Sequence, residues 1–149
     1  MDLFRVINDK KAYLFERSSS TPIWTYETDL GIESVSISSN GEYIAVGSRD
    51  DSVYFFNKDS STPLWSYATE SVVAYVSISA DGEYIVAGTD NGDGSDGTVY
   101  LFKSGSSIPL WTYDTDFSVY SVTISADGEY IAAGTSGAAS SSKSRLFLF

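Results

Sequence analysis

The chain has 149 residues, a length that fits one domain, and its 42% hydrophobic and 15% aromatic residues argue against a disordered chain. Its net charge of −11 disfavours binding to nucleic acid and anionic membranes, because like charges repel. The absence of Cys and His excludes disulfides, thiolate metal sites, Cys nucleophiles and His general bases. No apolar run reaches the ~20 residues that a membrane-spanning helix needs, so no membrane insertion is expected.

The chain opens with two short predicted strands, residues 3–7 and 11–16, joined by a tight polar turn. Residues 11–15 match residues 98–102, which form the last strand of a unit that recurs further along the chain. The chain therefore begins partway through a repeated unit.

The first full unit contains four predicted strands, since residues of high β propensity alternate with polar ones and no 3.6-residue apolar period is sustained. In the second strand Val35 and Ile37 point to one face, while the serines between them point to the other. Asn40-Gly41 predicts a hairpin turn, because this pair tolerates positive φ. The four strands are predicted at residues 23–27, 32–38, 42–48 and 52–57.

Two further units repeat this pattern. Trp24 and Trp65 lie 41 residues apart, as do the turn residues Gly41 and Gly82, and Trp111 follows Trp65 after 46 residues. The extra residues lie in an Asp/Gly-rich loop at 90–97. We therefore predict one structural domain made of a two-stranded partial blade (residues 1–16) and three full blades (residues 17–57, 58–103 and 104–149).

Four short antiparallel strands in each unit of about 40–45 residues are typical of a β-propeller blade. Residues 79–89 (SADGEYIVAGT) and 125–135 resemble the hairpin between the second and third strands of WD repeats. Residues 63–67 (PLWSY) and 109–113 resemble the Trp-bearing strand of PQQ-like repeats. The resemblance is closest to the highly repetitive propellers of prokaryotes and implies an all-β fold.

The sequence also departs from this family pattern. The Gly-His pair of WD repeats is missing, and two last strands end in Phe56-Asn57 and Phe102-Lys103 instead of Trp-Asp. Nothing in the sequence marks a quinone site, so no organic cofactor is expected.

Three blades and two extra strands fall short of the roughly 4–8 blades of known propellers. An open arc would expose an apolar sheet face at each end, which monomers seldom do. We therefore predict a homodimer that closes a ring of seven or eight blade positions. The alternatives are a larger ring or fibre, or a chain that is one piece of a longer repeat array.

One metal site is a candidate. Asp90, Asp93 and Asp96 alternate with glycines and could supply the hard oxygen ligands that calcium prefers. The spacing does not match the EF-hand pattern. The alternative is a solvated hairpin loop.

Two recurring residue sets are further candidates for binding or catalysis. The tryptophans and nearby tyrosines could stack on sugars or peptides, but recurrence at one blade position favours packing between blades. The glutamates after the turn glycines could form a hydrolytic pair, but residues on successive blades are expected too far apart. These residues are Trp24, Trp65, Trp111, Tyr26, Tyr67, Tyr113, Glu42, Glu83 and Glu129.

These observations predict a non-catalytic binding or scaffold module that completes its ring by homo-oligomerisation and presents its loops to a protein or glycan partner. The alternative is a self-assembling structural component of a cell surface or filament. Acidity and a surface rich in Ser, Thr and Tyr favour an extracellular or cell-surface location over the cytoplasm, without fixing either.

Overall fold

A computed structural model describes residues 9–137 and 144–149, which form thirteen β-strands and no helix. Within these ranges no helix has the length and apolarity needed to cross a membrane. The strands are β1 (Lys11–Leu14), β2 (Trp24–Glu27), β3 (Ile32–Ile37), β4 (Tyr43–Ser48), β5 (Ser52–Asn57), β6 (Trp65–Ala68), β7 (Val72–Ile78), β8 (Tyr84–Asp90), β9 (Gly97–Lys103), β10 (Trp111–Thr115), β11 (Val119–Ile124), β12 (Ile131–Ser136) and β13 (Ser144–Leu148).

The strands form four antiparallel sheets, stacked in chain order. The N-terminal pair contains β1 and β2, sheet I has the order β3-β4-β5-β6, sheet II contains β7 to β10 in the same order, and sheet III contains β11-β12-β13. The predicted all-β fold with four-stranded antiparallel sheets is confirmed. Of the three full blades predicted, two have four strands in the described residues and sheet III has three.

The sheets are offset by one strand from the predicted units. Each unit was predicted to open with its Trp strand, but the structure pairs that strand with the preceding unit: Trp65 lies opposite Phe55 in sheet I. The Trp strand β6 is the fourth strand of sheet I, at its edge, because the polar connector before it folds back as a hairpin. In this hairpin Leu64 N donates to Phe55 O (2.7 Å). The boundaries at residues 17–57, 58–103 and 104–149 therefore describe sequence repeats and not sheets.

The chain start also differs from the prediction. Residues 11–16 were expected to pair with residues 3–7, which lie outside the described residues. Within the described part of the chain, β1 pairs with β2, in a register that places Leu14 opposite Trp24. The pair thus corresponds to the third and fourth strands of a four-stranded sheet. We call these the outer strands of a sheet, and we call the first and second its inner strands.

A polar turn joins the first and second strands of sheets I, II and III into a hairpin. In sheet II the Ser79 hydroxyl donates to Asp81 Oδ1 (2.7 Å), which also accepts from Glu83 N (2.8 Å), and Tyr84 N donates to Ser79 Oγ (3.0 Å). The turn glycine Gly82 has a φ of 77°, as the predicted hairpin turn requires. Sheets I and III repeat the turn through Ser38 with Asn40 and Ser125 with Asp127.

Small residues let successive sheets approach closely. Gly47, on β4, faces sheet II, and a Cβ there would lie 2.8 Å from Val73 Cγ1. At the equivalent position of sheet II, a Cβ on Gly88 would lie 2.5 Å from Val119 Cγ1. Such distances leave no room for a methyl group, so the stacking distance of the sheets depends on glycine here.

We expect Gly88→Ala to lower the free energy of unfolding by about 1–3 kcal/mol, because the new methyl group overpacks the contact between sheets II and III. Gly105→Ala is the matched control, since a Cβ there has no heavy atom within 4 Å. Urea denaturation of the two variants and the parent chain measures the difference. Equal losses in both variants would contradict close packing at Gly88.

We expect the two aspartate turns, at Asp81 and Asp127, to make the free energy of unfolding depend on pH in the acidic range. The hydrogen bond from Glu83 N, followed by that from the Ser79 hydroxyl, lowers the pKa of Asp81. At Asp127 the Ser125 hydroxyl, followed by Glu129 N, lowers the pKa. Their contribution is therefore present above the ordinary carboxyl pKa and is lost as pH falls through the lowered values.

The double variant Asp81→Asn/Asp127→Asn tests this, because Asn40 already supports the same turn in sheet I without a titrating group. Its melting temperature should fall less than that of the parent chain between about pH 4 and pH 2. Parallel pH curves for the two proteins would show that these carboxylates do not contribute.

Candidate interaction surfaces at the two ends of the stack

The N-terminal face is formed by the first two strands of sheet I, β3 and β4, on the side that points away from sheet II. Val35 and Ile37 lie there on β3. Val35 is 61% exposed and Ile37 53%, whereas their counterparts in sheet II, Val76 and Ile78, are 7% and 8% exposed. The counterparts in sheet III, Val122 and Ile124, are buried in the same way. The difference arises because sheets II and III each have a four-stranded sheet in front of them, whereas within the described residues sheet I has only the two strands of the N-terminal pair.

The N-terminal pair covers only the outer half of that side. Ala12 and Leu14 on β1 pack with Ile44, Val46 and Phe56 of sheet I. Beside them a cavity of about 200 Å³ opens over the uncovered half, lined by Ala12, Leu14, Trp24, Val35, Ile37 and Val46. The N-terminal face therefore has the width that two inner strands of a sheet would cover.

The C-terminal face lies at the other end, on the outward side of sheet III. Leu146 and Leu148 on β13 are 79% and 74% exposed, and Tyr130 is 60% exposed. The counterparts of the two leucines in sheet II, Val99 and Leu101, are buried against sheet III. The C-terminal face thus carries the side chains of an inter-sheet contact without a sheet against it in the described residues.

A polar groove of about 330 Å³ lies between the outer strands of sheets I and II. Burial raises the pKa of the Tyr100 hydroxyl there. With two carboxylates and several hydroxyls, the groove favours cationic or hydroxyl-bearing ligands over phosphates. Its lining residues are Tyr67, Glu70, Thr98, Tyr100, Thr112 and Asp114.

The candidate calcium ligands lie in the loop between β8 and β9. Asp90 Oδ1 accepts from Gly92 N (2.7 Å), and Asp93 Oδ1 accepts from Ser95 N (2.8 Å) and from the Ser95 hydroxyl (2.5 Å). The hydrogen bond from the Ser95 hydroxyl, followed by that from Ser95 N, lowers the pKa of Asp93. No group of three or more Asp or Glu side chains in the described ranges, which include Asp96, is arranged to hold a metal ion. Calcium binding stays a prediction.

The tryptophans lie between sheets. Trp24 packs on Phe56 (5.3 Å between ring centroids) and Trp65 on Phe102 (5.2 Å). Each indole also donates from Nε1 to a backbone oxygen of the following connector, Lys58 O and Ser104 O respectively, both at 2.8 Å. The third, Trp111, packs on Phe149 (5.6 Å). Packing between blades, which the sequence favoured over sugar or peptide stacking, is what the structure shows.

Two of the three turn glutamates, Glu42 and Glu83, form ion pairs with lysines. Glu42 Oε1 lies 2.5 Å from Lys58 Nζ, and Glu83 Oε1 lies 2.8 Å from Lys103 Nζ. These ion pairs join the inner hairpin of a sheet to the end of its third strand.

Sequence reasoning did not identify the exposed residues of the two end faces as a site. A signal was available in the repeat itself, because Val35, Val76 and Val122 occupy one position of the unit, as do Ile37, Ile78 and Ile124. Only the stacking order shows which copy of each lacks a neighbour.

Comparisons with known proteins agree with this architecture. The model of the WD domain, G-beta repeat, matches residues 61–103, and the model of the anaphase-promoting complex subunit 4 WD40 domain matches residues 1–81. No curated protein sequence matches the chain.

Among solved structures, a chain of Kuenenia stuttgartiensis hydrazine synthase has a similar fold, with a TM-score of 0.78 and 15% sequence identity. The similarity covers 94% of this chain and 40% of that chain, so this chain spans less than half the length of the solved one. At this identity the likeness concerns the fold alone. Since the anaphase-promoting complex subunit 4 WD40 model matches more than half of the 149 residues, the chain belongs to this WD40 family.

Proposed function

We propose that this WD40 chain is a non-catalytic interaction scaffold that completes its stack of sheets by associating with further copies of itself. The observation that carries the proposal is the pair of uncovered apolar end faces. Val35, Ile37, Leu146 and Leu148 are each more than half exposed, although their counterparts in the other sheets are buried. Complete burial of such side chains contributes about 1.5–3 kcal/mol each, which favours association.

A non-catalytic role is supported by the residues that are missing and by those that are engaged. The sequence lacks Cys and His, and Glu42 and Glu83 are held in ion pairs with lysines. The loops and the polar groove between sheets I and II remain available for a protein or glycan partner. The likeness to PQQ-like repeats, the prokaryotic origin and the extracellular location stay predictions.

The second candidate, a structural component that assembles into filaments, uses the same two faces. Contacts between two different faces close into a ring when the rotation allows and otherwise continue as a fibre. A closed ring has one defined mass, whereas a fibre grows with protein concentration. Mass in solution therefore separates the two candidates.

We expect light scattering on a size-exclusion column to give the mass of a dimer for the parent chain. Ile37→Asp should reduce this mass to that of a monomer, because the new carboxylate would be buried without a partner when the N-terminal face is covered. Ile108→Asp is the control: it adds the same charge at a residue that is 74% exposed in the connector between β9 and β10. A folded parent chain that is monomeric at all concentrations would contradict the proposal.

A further inference from the structure

We propose that β13 of a second copy replaces β1 as the partner of β2, so that sheet III of one copy takes the place of the N-terminal pair in front of sheet I of the other. This inference rests on the proposed self-association and names the strands that carry it. It is drawn from contacts that the chain already makes twice between its own sheets.

The internal joints are built from the same parts. Ser36 Oγ accepts from Ile78 N (3.2 Å) between sheets I and II, and Ser77 Oγ accepts from Ile124 N (3.4 Å) between sheets II and III. The turns are linked as well: Ser39 N donates to Ala80 O (2.9 Å), and Ala80 N donates to Ala126 O (3.0 Å).

Aromatic rings cover the turn glycines across each joint. A Cβ on Gly82 would lie 2.5 Å from Tyr43 Cδ2, and one on Gly128 would lie 2.5 Å from Tyr84 Cδ2. Each tyrosine thus rests on the turn of the next sheet. The third tyrosine of the series, Tyr130, is 60% exposed.

The two ends of the stack carry the complementary halves of this joint. A Cβ on Gly41 would have no heavy atom within 4 Å, so this turn has room for a ring such as that of Tyr130. Thr123, at the position of Ser36 and Ser77, is exposed on sheet III. In the proposed joint its hydroxyl oxygen would accept from Ile37 N of the other copy. The apolar residues of the C-terminal face of one copy would then contact those of the N-terminal face of the other. Val76 and its neighbours on sheet II make the equivalent contact with sheet I within one chain. A second copy therefore fits this face by the same contacts that the chain uses internally.

β1 and β13 occupy the same position in a sheet. Leu14 lies opposite Trp24 as Phe55 lies opposite Trp65. Phe55 in turn lies opposite Ala45 on the second strand, as Leu148 lies opposite Ala132. Leu14 and Leu148 are thus equivalent. In a pair of chains, β1 and the β13 of the other copy would therefore compete for the same position beside β2.

The exchange satisfies both ends at once. In the described residues β13 has a neighbour on one edge only, and β2 would supply the outer strand that sheets I and II already have. Leu146 and Leu148 would become buried where β1 now places Ala12 and Leu14, which adds apolar surface at the joint. Two copies would then form six four-stranded sheets, within the range of 4–8 blades known for propellers. The predicted ring of seven or eight positions counted the N-terminal strands as a separate blade in each copy.

Engineered cysteine pairs test the exchange, because the chain has no cysteine of its own. Glu27 and Lys11 lie opposite each other in the N-terminal pair, and the exchanged register places Glu27 opposite Arg145. At the equivalent position of sheet II, Thr98 Oγ1 donates to Asp114 Oδ1 (3.1 Å), so side chains in these positions touch.

Oxidised Lys11→Cys/Glu27→Cys should lock β1 onto β2 and give a monomer that regains the dimer mass on reduction. Glu27→Cys/Arg145→Cys should oxidise to a covalent dimer on a non-reducing gel. If the first variant dimerises equally well when oxidised, or if the second stays reduced or links within one chain, the exchange is wrong while self-association stands. A parent chain that is always monomeric would instead overturn the proposed function.

Gly134→Ala provides an independent readout. A Cβ on Gly134 has only Ser121 Cβ at 4.0 Å, although Gly47 and Gly88 at the same position allow no methyl group. In the locked Lys11→Cys/Glu27→Cys background, which stays monomeric, Gly134→Ala should leave the melting temperature unchanged. In the chain without the lock it should weaken association at least tenfold. Gly105→Ala should change neither, and unchanged association in Gly134→Ala would overturn this joint.

Discussion

Sheets I, II and III carry apolar side chains on both sides, and each must therefore be covered on both sides. The constraint is most visible where Val76 and Ile78 pack closely against sheet I, at a spacing that Gly47 permits. A single four-stranded sheet of this composition would expose two large apolar surfaces to water, which is unfavourable in proportion to the area. Stacking is thus the condition under which these strands are stable at all, and the two ends of the stack are where it is not met.

Directional bonds keep the stack in register. On the side of the hairpin turns, serine hydroxyls and turn carbonyls accept from backbone N–H groups of the neighbouring sheet. On the side of the outer strands, the indoles of Trp24 and Trp65 donate to carbonyls in the next connector, at Lys58 and Ser104. Both sides of each joint are tied, so a sheet cannot slide along its neighbour without leaving buried polar groups unpaired. Such a frame can hold variable loops in fixed positions, which suits an interaction scaffold of the WD40 family.

The same repetition underlies the proposed self-association. Each joint is formed by the side of one sheet that faces the C-terminal end of the stack and the side of the next sheet that faces the N-terminal end. The C-terminal face on sheet III and the N-terminal face on sheet I are therefore two halves of such a joint. Tyr130 and the open turn at Gly41 illustrate this, since each is one half of a contact that occurs twice inside the chain.

Much of this architecture is determined by the sequence alone. Alternation along strands such as β3, the Asn-Gly and Asp-Gly turns and the recurrence of Trp24, Trp65 and Trp111 predict antiparallel four-stranded units, because these signals depend on local backbone geometry. Tertiary structure decided which of two polar connectors is a hairpin and which crosses to the next sheet: the seven residues 58–64 fold back between β5 and β6, and the three residues 69–71 cross from β6 to β7. It alone also separated Val35 from Val76, two identical residues in one repeat position, because burial depends on what stands in front of a sheet and not on the strand itself.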